Sequence, residues 1–139
     1  MTVEQLMQPR YEVIADYPHN PYKLGDLLEQ FTKTAYRVTE TYPHGNIEES
    51  QVNTYPEKAI QSYPHLFRRL EWWEKRRPED MPKYLKTLYD NSIVKVVDYY
   101  FDDNTIYIDA GYPFTLKQYL IQRIPATEQE YNDYLKSKQ

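Results

Sequence analysis

The sequence predicts an α+β domain, a twisted antiparallel sheet of about five strands with roughly two or three short helices. Three observations predict it. Short runs of β-branched and aromatic residues alternate with turn chemistry, most sharply in residues 93–101 and 105–109 on either side of Asp102-Asp103-Asn104. Helix signals are few, and the best is Thr127-Glu128-Gln129-Glu130 ahead of a short apolar stripe. A chain of 139 residues suits one domain better than two of ordinary size, so residues 1–10 read as a polar lead-in and 11–139 as a single domain. Leu, Ile, Val and Phe supply only 30 of the 139 residues, close to the composition of disordered chains. Sixteen tyrosines and two tryptophans tip the balance back to a folded chain, because their ring bodies can fill a core while hydroxyls reach its edge.

Each element has its own signal. The lead-in has room for one helical turn before Pro9. Residues 11–17 read as a strand closed by Pro18, His19-Asn20-Pro21 as a turn, and residues 23–28 as the returning strand, with Gly25 allowing a bulge or tight bend. Residues 35–42 are a third strand, on which Tyr36, Val38 and Glu40 alternate with Ala35, Arg37 and Thr39. Residues 43–54 are polar and looped. Pro56 followed by Glu57 starts a helix toward Phe67, with Pro64 imposing a kink or a division into two.

Residues 68–77 fit two periods. A helix would gather Leu66, Leu70 and Trp73; a strand would set Leu70 and Trp72 against Trp73. The strand is favoured, with residues 78–82 as a loop and 84–88 as its returning partner. The clearest hairpin follows over 93–109 and ends at Gly111-Tyr112-Pro113, after which residues 115–124 are a strand or a short helix. In the last element the Thr127 hydroxyl accepts from the Glu130 amide while Glu130 reaches back, and Tyr131, Tyr134 and Leu135 form the stripe.

Composition excludes several chemistries. Without cysteine there is no disulfide, no thiolate metal site and no Cys nucleophile, which fits a reducing compartment. No apolar run approaches a membrane span and the first ten residues lack a signal-peptide pattern, so the expected address is the cytoplasm. Charge is unevenly laid out: residues 1–57 carry four basic and nine acidic side chains, 58–95 nine and five, and 96–139 four and seven. A basic middle between acidic ends can steer a charged partner.

Tyr-Pro-His occurs at 17–19, 42–44 and 63–65 and holds every histidine. Three imidazoles could make a zinc site; the plainer reading has each Tyr-Pro closing an element, and no metal or other cofactor is expected. Three glycines cannot build a phosphate loop, and no nucleophile elbow is present. Asp98, Asp102, Asp103 and Asp109 cluster on one hairpin, where solvated turn aspartates are a simpler account than acid–base catalysis. No catalytic residue is assigned, and the expected role is binding.

The most function-like stretch is Arg68-Arg69-Leu70-Glu71-Trp72-Trp73-Glu74-Lys75-Arg76-Arg77. On a strand, neighbouring indoles point to opposite faces and only one enters a single core. The other, Trp72 or Trp73, would stand among Arg68, Arg69, Lys75, Arg76 and Arg77, as a protein-interface anchor or as a platform for a nucleobase with the cations on phosphates. Glu71 and Glu74 dilute the field of the second version. A plain structural reading covers the outward indole with arginine stems.

Three groups of segments carry a resemblance: residues 11–18 with Lys23-Leu24-Gly25-Asp26; Tyr63-Pro64-His65-Leu66-Phe67-Arg68 with Leu70-Glu71-Trp72-Trp73 and residues 79–84; and Pro125-Ala126-Thr127-Glu128 with Glu130-Tyr131-Asn132. Together they resemble small uncharacterised bacteriophage and prophage proteins. The resemblance implies phage origin, and with it the cytoplasm of a host cell, and transfers no catalytic residue. It implies, as one expectation, a non-enzymatic protein that binds and inhibits a host protein complex, including antiviral effectors of the CRISPR kind. The alternatives are an RNA or single-stranded nucleic-acid binder using residues 68–77, and a phage structural or assembly protein, which would form symmetric oligomers.

Overall fold

The computed structural model describes residues 1–15, 24–41 and 54–138. The expected turn at 18–21 and most of the polar loop lie outside the described residues. The chain is α+β, and its described residues form ten strands in two antiparallel sheets of five. It divides into two compact units, Gln8–Lys75 around the first sheet and Met1–Met7 with Arg76–Gln139 around the second.

The first unit runs β1 (Arg10–Val13), β2 (Asp26–Thr32), β3 (Ala35–Thr41), β4 (Thr54–Pro56), α1 (Glu57–Ser62) and β5 (Phe67–Arg69). Its sheet order is β4-β3-β2-β1-β5. Gly25 has φ 91° and its amide bonds the Val13 carbonyl at 2.9 Å, a left-handed turn into β2 that a side chain would resist. Val13, Leu28, Tyr36, Val38, Ile60, Leu66 and Phe67 form the core, with Tyr11 packed edge-on against Tyr36 at 5.5 Å. The expected helix toward Phe67 stops at Ser62, ahead of Pro64, whose ring and missing N–H prevent its continuation.

Residues 68–77 are corrected from the expected strand. Only Phe67–Arg69 is strand, and it pairs with β1; Trp72 to Lys75 are a turn in which Lys75 has φ 52°. Residues 78–82 therefore do not connect paired strands.

The second unit needs a separate helix, α2 (Val3–Met7), for which the sequence allowed one turn. Then come β6 (Tyr84–Thr87), β7 (Ile93–Tyr100), β8 (Thr105–Ile108), β9 (Pro113–Thr115), α3 (Leu116–Ile121), β10 (Arg123–Ala126) and α4 (Glu128–Ser137). Sheet order is β10-β6-β7-β8-β9, so β6 pairs with β7 and β10 rather than with residues 68–77. The span expected as strand or helix holds both, α3 and then β10. Asn104 links the hairpin turn to α3: it adopts φ 50°, its carbonyl accepts from the Leu116 amide at 2.9 Å, and its side-chain oxygen accepts from the Lys117 amide at 3.1 Å.

The capping box of α4 is formed as expected, with the Thr127 hydroxyl accepting from the Glu130 amide at 3.1 Å and a Glu130 oxygen accepting from the Thr127 amide at 3.0 Å. Tyr131 and Tyr134 are half-buried, but Leu135 of the expected stripe is exposed.

Tyr99 shows how a tyrosine is buried here. Its ring is in the core and its hydroxyl donates to the Pro82 carbonyl; burial, then the nearby Tyr119, pushes the phenol well above its ordinary value. The sign is definite: an unfolded tyrosine loses its proton at about pH 10 while the folded one keeps it, so stability is full below about pH 10 and falls as pH rises. Tyr99→Phe should cost roughly 1–2 kcal/mol at pH 7 and shallow the alkaline loss, measured as urea midpoints across the pH range. Parallel wild-type and variant curves would contradict this account.

Candidate binding surfaces

Within the first unit, the basic segment is organised by one buried cation. Arg10 begins β1, is buried, and donates through Nη2 to the carbonyls of Glu71 (3.0 Å), Trp72 (3.2 Å) and Glu74 (2.6 Å). Three carbonyls within four residues can meet one guanidinium only if the backbone curls, and a curled backbone cannot be a strand. Around it, Glu12 binds Arg68 Nη2 at 3.4 Å and Lys75 Nζ at 2.8 Å. Glu74 takes Arg68 Nη1 at 2.9 Å through one oxygen and the Glu71 amide at 2.9 Å through the other. Hydrogen bonds and charge from Glu74 and Glu12 outweigh desolvation and hold the Arg68 guanidinium above its usual range.

The seven candidate residues thus separate. Arg68 and Lys75 are ion-paired; Trp73 is buried; Trp72 is half-buried at the turn. Arg69 is exposed at the end of β5, opposite Tyr11. Arg76 belongs to the second unit and is buried, donating to the Leu6 carbonyl at 3.1 Å and to Met1 Sδ at 3.4 Å, while Arg77 is half-buried.

Of the Tyr-Pro-His triplets, those at 17–19 and 42–44 lie outside the described residues. Tyr63-Pro64-His65 is exposed beside the turn before β5, the two rings in edge contact at 6.4 Å. Among the described residues no cluster of His, Asp or Glu could hold a metal ion, and no helix is long and apolar enough to cross a membrane.

A second surface belongs to the hairpin whose aspartates the sequence singled out. Register puts Tyr84, Lys86, Ile93 and Lys95 on one face of the second sheet and Leu85, Val94 and Val96 on the other. A bulge then interrupts β7: Val96 faces Ile108 and Asp98 faces Tyr107, leaving Val97 as the extra residue. Beyond it Tyr99 and Ile106 stay in the core while Asp98, Tyr100, Thr105 and Tyr107 continue the outer face.

Helix α4 covers the β6 part of that face. Tyr131 packs on Tyr84 at 4.8 Å and donates to Asp109 at 3.1 Å, and Glu130 lies 3.8 Å from Lys86. The remaining part is open. Val97 is 66%, Tyr100 44% and Tyr107 38% exposed, around a groove of about 380 Å³ also lined by Asp98 and Asp103. The Tyr100 and Tyr107 rings meet edge-on at 5.5 Å. Asp98 accepts from the Tyr99 amide at 2.9 Å, and its hydrogen bond and charge raise the Tyr100 phenol above its ordinary value.

Sequence reasoning noted these aspartates but missed the tyrosines beside them. The available signal was the Val96-Val97-Asp98 run, which breaks the period of two inside an otherwise strong strand. Comparison of the chain with protein-family models, curated proteins and solved structures finds no match.

Both tryptophans sit in the turn that Arg10 gathers, so their emission reports on it. Arg10→Met should destabilise the protein by roughly 2–4 kcal/mol, since charged hydrogen bonds are lost and carbonyls left unmet. It should also shift tryptophan emission to longer wavelength in native buffer. Unchanged emission with unchanged stability would show that the turn holds without its cation.

Proposed function

We propose that this chain is a non-catalytic binding protein that engages a partner protein through the outer face of β7 and β8. The observation that carries the reading is the exposure of Val97, Tyr100 and Tyr107 on the part of the sheet that α4 leaves open. Aromatic side chains grouped in a groove supply large contact area at small entropic cost, the chemistry of interface anchors. With the phage resemblance, the partner class is a host protein complex, antiviral effectors of the CRISPR kind included, and occupation of its working surface is the mode of inhibition.

The nucleic-acid alternative draws less support, since Arg68 and Lys75 are already neutralised by Glu12 and Glu74 and Arg76 is buried. An assembly protein would use the same open face for copies of itself.

The test compares wild type with Tyr107→Ala. A host-lysate protein captured by wild type and then purified should bind the variant about 30-fold more weakly by calorimetry, the loss typical of an interface anchor. Capture of nothing, or equal affinity for both proteins, would remove the reading. Salt-sensitive retention of single-stranded RNA that Arg69→Ala abolishes would favour the alternative.

A further inference from the structure

The groove also carries information about what it accepts. Its walls are apolar, Val97 and the Tyr100–Tyr107 pair, while its charged lining is Asp98 and Asp103, with no cation among the described residues that line it. The hairpin over 93–109 holds four aspartates against one lysine, Lys95. Lys95 is on the same face, two residues before the bulge, and Asp109 beside it is engaged by Tyr131. We propose, resting on the reading of this face as the docking surface, that its occupant is a cationic segment of the partner protein, an arginine- or lysine-bearing loop or tail.

The geometry provides the three things such a side chain needs. Tyrosine faces attract a cation within about 6 Å of the ring centroid, arginine more often than lysine. A carboxylate has about four lone-pair directions, and Asp98 uses one of them on the Tyr99 amide. That bond holds one oxygen in place and leaves the other acceptors open to a guanidinium. Val97, lifted out by the bulge, offers an apolar surface for the aliphatic stem. An acidic segment would meet two carboxylates without compensation, and an uncharged apolar one would leave both aspartates desolvated and unpaired.

The expected occupant can be imitated by a short peptide of alternating glycine and arginine, compared with the same peptide carrying citrulline, which keeps the shape and removes the charge. The full chain is titrated with each at physiological salt by amide-resolved NMR. The arginine peptide should shift amides of residues 97–111 selectively and bind about tenfold or more tighter than the citrulline peptide. Asp98→Asn combined with Asp103→Asn should erase that preference while leaving the dispersed spectrum of a folded protein. Equal binding of the two peptides, shifts spread elsewhere, or a stable dimer whose interface is this face would each overturn the proposal.

The two readings fail separately. If the captured partner still binds the double asparagine variant but loses Tyr107→Ala, the docking face stands and the cationic occupant does not. Loss of affinity in both variants supports the two together.

Discussion

A guanidinium withdrawn from water must be met by acceptors, and Arg10 places that demand on residues 71–75. The carbonyls of Glu71, Trp72 and Glu74 converge on one nitrogen, which forces the chain to curl just after β5. Much follows from the curl. Trp73 turns inward and Trp72 stays half-buried at the surface. Glu74 comes within reach of Arg68, and Lys75 within reach of Glu12. A run that is densely basic in sequence becomes a locally neutralised corner. Arg68 and Lys75 are spent on Glu74 and Glu12, while Arg69 stays exposed.

The second sheet obeys a different constraint. An antiparallel sheet can leave one face to water provided that face is polar. Here α4 shelters the β6 part, where Tyr84 and Lys86 lie, with its own tyrosine and glutamate side chains. The hairpin beyond the bulge has no such cover among the described residues, yet presents valine and tyrosine rather than lysine or threonine alone. The bulge matters because one inserted residue changes what each face shows. Val97 is added to the outside without removing Tyr99 from the core. A strand can then serve packing and presentation at once.

What could be read in the sequence follows from the range of the interactions involved. The hairpin over 93–109 and the capping box at Thr127 are local: each signal lies within a few residues of the partner it finds. β3 is likewise local and alternation found it, whereas β2, expected at 23–28, runs Asp26–Thr32 into the tight turn that joins the two. The short strands β4, β5 and β9, three residues each, offer too little periodicity to be seen. The failure at 68–77 has a different origin. Its conformation is set by Arg10, some sixty positions earlier, as the separations of 61 to 64 residues in those hydrogen bonds record. Leu70, Trp72 and Trp73 carry no trace of that, so both periods fitted and neither applied. The candidate groove was half legible. Its aspartates stood out as a cluster, while the burial pattern that exposes Tyr100 and hides Tyr99 depends on a register shift with β8.

The tyrosine excess ties these observations together. A phenol is admitted to an interior when its hydroxyl is provided for or can reach the boundary. Tyr99 is buried with Pro82 as acceptor, and Tyr119 is buried with the Arg123 guanidinium 3.5 Å from its ring centroid. The fully buried set is otherwise dominated by aliphatic side chains such as Leu28, Leu85, Ile106 and Leu120, so tyrosine is not the main filler of the core. Most of the other tyrosines among the described residues sit at the boundary, half-covered or open. A chain poor in aliphatic residues gains little stability from large rings left in water, and exposed apolar surface carries the hazard of association. Tyrosine limits that hazard, because its hydroxyl keeps the ring compatible with water while its face stays available. At the groove this compromise is taken further: the Tyr100 and Tyr107 rings face outward next to the Asp98 carboxylate, which the Tyr99 amide holds in place. Such a surface is stable alone and gains most when another molecule supplies both apolar stem and positive charge.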